Sequence, residues 1–196
     1  MGDRISFSRE LQRFDDVAVS HSDTVRSIRF YYTAPSPATR DPKFIGYSIP
    51  EMQQEQDLRL DELDKNCVLS LLAALEGSFR VDYLLRCQER KKDALSRHFR
   101  GIYKAKKDRA AFEEDILEIW KIYLPAEKSV LSDLKGAFRY RHWLAHGRYS
   151  VPKLGKKYDF ESVYLLAQEV DENFHLLSMN HCDDLPDGFD HCNKER

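Results

Sequence analysis

Apolar residues recur every three or four positions over most of this chain, and that spacing predicts helices. The clearest stripe is Leu60, Leu63, Cys67, Leu71, Ala74 and Leu75, continuing through Phe79 and Leu85 toward Lys92. Pro50 suits a first helical position, and Glu51 and Glu55 suit the positive end of the helix dipole. Further helices are expected over about 94–107, with Gly101 as a weak point, and over about 110–123. In the latter, Phe112, Ile116, Ile119, Trp120 and Tyr123 share one side until Pro125. Another is expected over about 126–147, ending at Gly147, and a last one over about 159–179, opening on Asp159 as a candidate N-cap. Pro152 and Gly155 mark the loop between these two. Only the first fifty residues differ. The runs SIRFYYT at 27–33 and FIGYSI at 44–49 are rich in β-formers and flank a Pro-rich connector at 34–42. The expectation is an all-α, up-down bundle of four to five helices over 51–182. It is preceded by an extended arm or hairpin within 1–50 and followed by an acidic flexible tail at 183–196.

Composition narrows the class without naming a function. The chain has 196 residues, 42% hydrophobic and 33% charged, enough for one domain with a substantial core and too apolar for a disordered chain. No run of about 18 apolar residues suggests a transmembrane helix. The start, MGDRISFSRELQRFDD, lacks an apolar signal core. Cys67, Cys87, Cys182 and Cys192 form no CxxC pair, so a reducing, cytoplasmic setting is expected. His181-Cys182 and His191-Cys192 match no common zinc spacing, and no metal or cofactor is expected.

Charge changes the picture more. The net charge is −2, yet residues 80–109 hold eleven bases against four acids, a local +7 that leaves −9 for the remainder. Arg90, Lys91, Lys92, Arg97 and Arg100 belong to this block, with Tyr83, Phe99 and Tyr103 interleaved. Such a block attracts a phosphate backbone, and its aromatic rings suit base stacking. The same charges also suit a plain solvated helix face.

The chemistry concentrates in FRYRHWLAHGRY at 138–149. Val130, Leu134, Ala137, Leu144 and Ala145 form an apolar stripe into which Arg141 falls. A guanidinium there needs an acid from another helix or a bound phosphate. Arg139, His142, His146 and Tyr149 follow at spacings of three, four and three, and form a second, polar seam. Arg141 and His146 stand about 140° apart around the helix. Two copies meeting on a two-fold axis would pool both seams.

Arg141-His-Trp-Leu-Ala-His146 resembles the Arg-x4-His motif of the HEPN superfamily (higher eukaryote and prokaryote nucleotide-binding). The helical setting over about 60–180 is similar too. The segment LEGSFRVDY at 75–83 resembles the first core helix of the HEPN group associated with RiboL-PSP proteins. Many members of that superfamily are metal-independent endoribonucleases acting as toxins or antiviral effectors, with a composite site at a homodimer interface. The resemblance implies Arg141 and His146 as a catalytic pair and His142 as the motif's polar position. Glu76 or Asp82 would supply an acid from an earlier helix, with Tyr149 in support. Arg139 and Arg148 join the basic block as RNA-binding residues. Implied partners are RNA (tRNA or mRNA), a second copy, and an antitoxin or defence protein. Members paired with minimal nucleotidyltransferases carry Tyr two residues after the motif His; this chain has Arg148 there, and Tyr149 follows. Histidine near neutral pH can take a proton from a 2′-hydroxyl or give one to a leaving oxygen, and arginine can fork a phosphate. The competing expectation is a non-catalytic adapter that binds nucleic acid or protein. Glu172-Asn-Phe-His175 is a lone Glu-x-x-His, and a di-iron bundle needs two. Trp120 and Trp143 read as packing residues.

Overall fold

In the computed structural model, residues 7, 10–33 and 41–180 are described, and the chain is an all-α bundle built around one long helix. α1 spans Phe14–Tyr32, α2 Ile49–Gln88, α3 Ala94–Lys106, α4 Glu118–Tyr123, α5 Lys128–Ala145, α6 Phe160–Phe174 and α7 Leu177–Asn180. α2 is 40 residues long, roughly 60 Å of helix. Its start is fixed by a capping box: the Glu51 amide donates to Ser48 Oγ and the Ser48 amide donates to Glu51 Oε2 at 2.7 Å, with Pro50 in the first turn. From Leu71 onward the predicted stripe turns inward, while Leu60 and Leu63 stay half-buried. Leu71, Leu72, Leu75, Phe79 and Tyr83 pack with Phe99, Ile116, Trp120, Leu134, Ala137, Val170 and Phe174 into one core. Among the described residues no helix is long and apolar enough to cross a membrane.

The expected extended arm is corrected by the structure. Residues 27–32 belong to α1, residues 42–44 form a single 3-10 turn, and no strand occurs among the described residues. The reason is packing. Phe14, Val17, His21, Ile28 and Tyr32 recur at helical spacing and turn toward α2. Tyr32 meets Phe44 and Met52 in a small cluster of its own. β-propensity is a preference for a half-buried pleated surface and yields when a helical face finds a partner. α1 is further tied to α2 by His21 Nε2 and Asp64 Oδ1 at 2.7 Å, with the His21 ring stacked on Phe160 of α6 at 3.6 Å. Most of the connector at 34–42, the tail at 183–196 and the residues His181, Cys182, His191 and Cys192 lie outside the described residues.

Two local features set how α5 meets its neighbours. The helix expected at 110–123 begins with a π-helical turn over Phe112–Leu117, where the amides of both Asp115 and Ile116 donate to the Ala111 carbonyl. Asp115 Oδ2 also accepts from the Ala111 amide at 2.7 Å. Such turns insert a residue and shift the side-chain register; here the turn begins with Phe112, whose ring stacks edge-on against Phe138 of α5 at 4.7 Å. At Gly136, a Cβ would collide with the Tyr158 hydroxyl. Glycine therefore lets the segment before α6 close onto α5.

Candidate functional site

α5 runs antiparallel to α2, and the two helices hold the residues of the Arg-x4-His segment in place. Arg141 leaves the apolar stripe of α5 and lies over the Phe138 ring, its Cζ 5.9 Å from the centroid. Its Nη1 is 3.2 Å from Glu76 Oε2. The carboxylate of Glu76 has a second cation: Arg80 Nε donates to Oε1 at 2.7 Å. Arg80 Nη1 also donates to the Ala110 carbonyl at 3.1 Å, and its Cζ lies 5.8 Å from the centroid of Phe112. One carboxylate thus bridges two guanidiniums, each backed by one ring of the Phe112–Phe138 pair. The side chains of Arg80 and Arg141 remain 37% and 39% exposed, against 19% for Glu76. The acid that an arginine in an apolar stripe requires is therefore Glu76.

On the next residue and again four residues later, the histidines stand together at the end of the helix. His142 and His146 are both exposed, with ring centroids 4.1 Å apart. The four-residue spacing stacks them on one face. His146 closes α5, its amide donating to the His142 carbonyl at 3.1 Å. Gly147 and Arg148 then adopt positive φ, +83° and +55°. Left-handed backbone at a non-glycine costs on the order of 1 kcal/mol. At Arg148 it is offset by a reach across to α2: Nη1 donates to both carboxylate oxygens of Glu62 at 2.7 Å. The Arg148 guanidinium holds the Glu62 carboxyl below its ordinary value. Trp143 Nε1 donates to the Ser150 carbonyl. With its ends pinned in this way, the loop turns Tyr149 and Val151 out to solvent, 89% and 90% exposed. Arg139 is exposed on the preceding turn.

The expected site residues therefore fall into three groups. Glu76 and Arg141 are in contact, and His142, His146 and Tyr149 follow at the end of the same helix. Arg148 is committed to Glu62 rather than open to a ligand. Asp82 lies elsewhere: it is fully buried and accepts from Arg86 Nε at 2.8 and 2.9 Å and from the Leu177 amide at 2.9 Å. Burial pushes its carboxyl above the usual value, and Arg86 and the Leu177 amide pull it back. It joins α2 to α7 and takes no place beside Arg141.

The basic block is divided rather than forming one face. Arg80, Arg86, Lys91 and Lys106 are paired with Glu76, Asp82, Glu89 and Asp115. Arg100 Nη1 donates to the Lys91 carbonyl. Arg90 and Lys92, just past the end of α2, and Arg97 in α3 are exposed. From Glu76 to the end of α2 is about 18 Å along the axis, so Arg90, Lys91 and Lys92 stand apart from Arg141. The chain then returns: Tyr83 Oη donates to the Lys107 carbonyl at 2.8 Å, and Ala110 reaches Arg80. Only this returning end adjoins the arginine pair. Arg80 was legible merely as one charge in the block; its signal was the four-residue step from Glu76.

Among the described residues no group of three or more His, Cys, Asp or Glu is placed to hold a metal ion. No protein-family model, curated protein or solved structure matches this chain. The HEPN resemblance thus rests on the Arg141-to-His146 segment and its helical setting.

Proposed function

We propose that this chain is a metal-independent endoribonuclease of HEPN type, with Arg141, His142 and His146 as its reacting groups. The observation that carries the reading is the pairing of Arg141 with Glu76 on the same helix end as two exposed histidine rings in mutual contact, His142 on the next residue and His146 five residues on. A guanidinium oriented by a carboxylate, yet still partly open, suits a phosphodiester, whose non-bridging oxygens gain charge during transfer. One imidazole accepts the proton of the 2′-hydroxyl as that oxygen bonds to phosphorus. Another gives a proton to the departing 5′-oxygen as its bond to phosphorus breaks. The products are a 2′,3′-cyclic phosphate and a 5′-hydroxyl. Two copies joined through the seam of Arg139, His142, His146 and Tyr149 place both sets of groups around one cleft. Tyr149 offers an aromatic face to a base at its rim.

The test is incubation of purified protein with total tRNA and with mRNA, with and without EDTA, beside Arg141→Ala and His146→Ala. Cleavage by the parent in EDTA, lost in both folded variants, is expected. RNA that is bound but never cut identifies the adapter instead, and full cleavage by both variants overturns the residue roles.

A further inference from the structure

The arginine cluster carries more than the support of Arg141. Glu76 brings one negative charge to two guanidiniums, so the group of Arg80, Glu76 and Arg141 keeps a net +1. A guanidinium has five N–H donors. Arg80 spends Nε on Glu76 and one Nη1 donor on Ala110, while Arg141 meets Glu76 as an ion pair with its Nη1 at 3.2 Å. The remaining donors belong to side chains more than a third exposed. The two forks are held side by side by a single carboxylate in front and by the packed rings of Phe112 and Phe138 behind. This is a preorganised pair: neither guanidinium must give up much side-chain freedom when an anion arrives.

We infer that Arg80 and Arg141 together grip one phosphate of a bound RNA chain, which makes Arg80 a second phosphate-binding residue of the site. Glu76 then has two effects: it fixes both forks and sets their combined charge low enough for the phosphate to leave. A single arginine neutralised by Glu76 would offer no net attraction, whereas two arginines sharing it do. The inference rests on the proposed function for its ligand, but binding can be read without cleavage.

A short, labelled 2′-O-methyl RNA, which lacks the attacking hydroxyl, is titrated by fluorescence anisotropy at several salt concentrations. Arg80→Ala is expected to weaken binding about five- to ten-fold and to make the slope of log affinity against log salt shallower by about 0.7, the value of one lost phosphate contact. Arg80→Lys, which keeps the charge but not the fork, recovers the slope and only part of the affinity. Glu76→Gln binds about three-fold tighter with a steeper slope, because the full charge of both forks is released. Melting curves confirm that each variant is folded. An unchanged affinity and slope in folded Arg80→Ala, or weaker binding by Glu76→Gln, overturns the assignment. If the variants shift as stated while unmodified RNA survives in EDTA, the phosphate site stands and the nuclease reading falls. If the parent cuts RNA in EDTA but Arg80→Ala binds like the parent, the reverse holds.

Discussion

Two turns of α2 repeat one motif with opposite outcomes. Glu76 is followed four residues later by Arg80, and Asp82 four residues later by Arg86. In both, the arginine Nε donates to the carboxylate in the i,i+4 geometry. Asp82 is fully buried, and the Arg86 side chain is 11% exposed and lies 5.3 Å from the centroid of Trp120. Here one cation serves two acids, since Arg86 Nη1 also lies 3.7 Å from Asp93 Oδ1. The remaining acceptor capacity of Asp82 goes to the Leu177 amide, the first residue of α7. The Glu76 pair is half open and takes a second arginine from α5. Local sequence sets the pairing; burial and the count of cations around the acid decide whether it closes a fold or is left with charge to spend.

The largest effect that can break this contrast is on stability. Asp82→Ala takes from Arg86 its nearer acid, leaving only Asp93 at 3.7 Å, and leaves the Leu177 amide without its acceptor in a dry place. Removing one partner of a buried ion pair costs about 3–5 kcal/mol, a fall in Tm on the order of 10 °C for a chain of this size. Thermal unfolding checks it. A loss below about 1 kcal/mol would show that the buried pair contributes little and that burial does not separate the two motifs.

How much of this was legible in the sequence depended on where each contact partner lies along the chain. Leu71, Ala74, Leu75, Phe79 and Leu85 of α2 and Leu134, Ala137 and Leu144 of α5 read correctly because a helix that buries one face writes it every three or four residues. By contrast, Leu60 and Leu63 are only half-buried, Ala145 is exposed, and Tyr83 and Phe99, expected as rings for base stacking, are buried in the core. The first fifty residues misled because FYY at 30–32 carries β-propensity, while the positions that dock α1, such as Phe14 and His21, lie outside the run that drew attention. Arg141 in an apolar stripe signalled a buried partner, but the sequence offered Glu76 and Asp82 alike. Only packing separates them, since they sit on different sides of α2. The Glu62–Arg148 pair, 86 residues apart, left no local trace at all.

Glu76→Ala tests the open half of the contrast. Stability should change by about 1 kcal/mol or less, because the pair is partly solvated. Activity should separate from it. Under the proposed nuclease function, with Arg141 free to swing, kcat is expected to fall about 10- to 100-fold, while KM holds or drops as positive charge is released toward RNA. Steady-state cleavage of a defined RNA reads both constants. A variant that loses stability as Asp82→Ala does, with kcat intact, would make the two motifs equivalent and structural.

The smallest expected effect concerns the loop that carries Tyr149. Glu62→Gln removes the negative charge and one of the two acceptor oxygens that Arg148 uses, so its left-handed backbone has less to offset its cost. Glu62 is about half exposed, and solvent screening holds the change in stability to about 0.5 kcal/mol or less. Its sign with pH is definite. Arg148, with Lys65 second, lowers the folded pKa of Glu62 from the ordinary 4.5. The pair's contribution is therefore complete above about pH 4.5 and is lost as pH falls through the lower folded value. The Tm difference between the parent and Glu62→Gln should be constant near neutrality and close toward zero in acid. Trypsin should also cut after Arg148 faster in the variant at neutral pH, since a released loop fits a protease better than a pinned one. A gap in Tm that widens in acid, or an Arg148 bond no more sensitive than in the parent, would mean that Glu62 does not hold the loop. The exposure of Tyr149 beside the histidines would then need another cause.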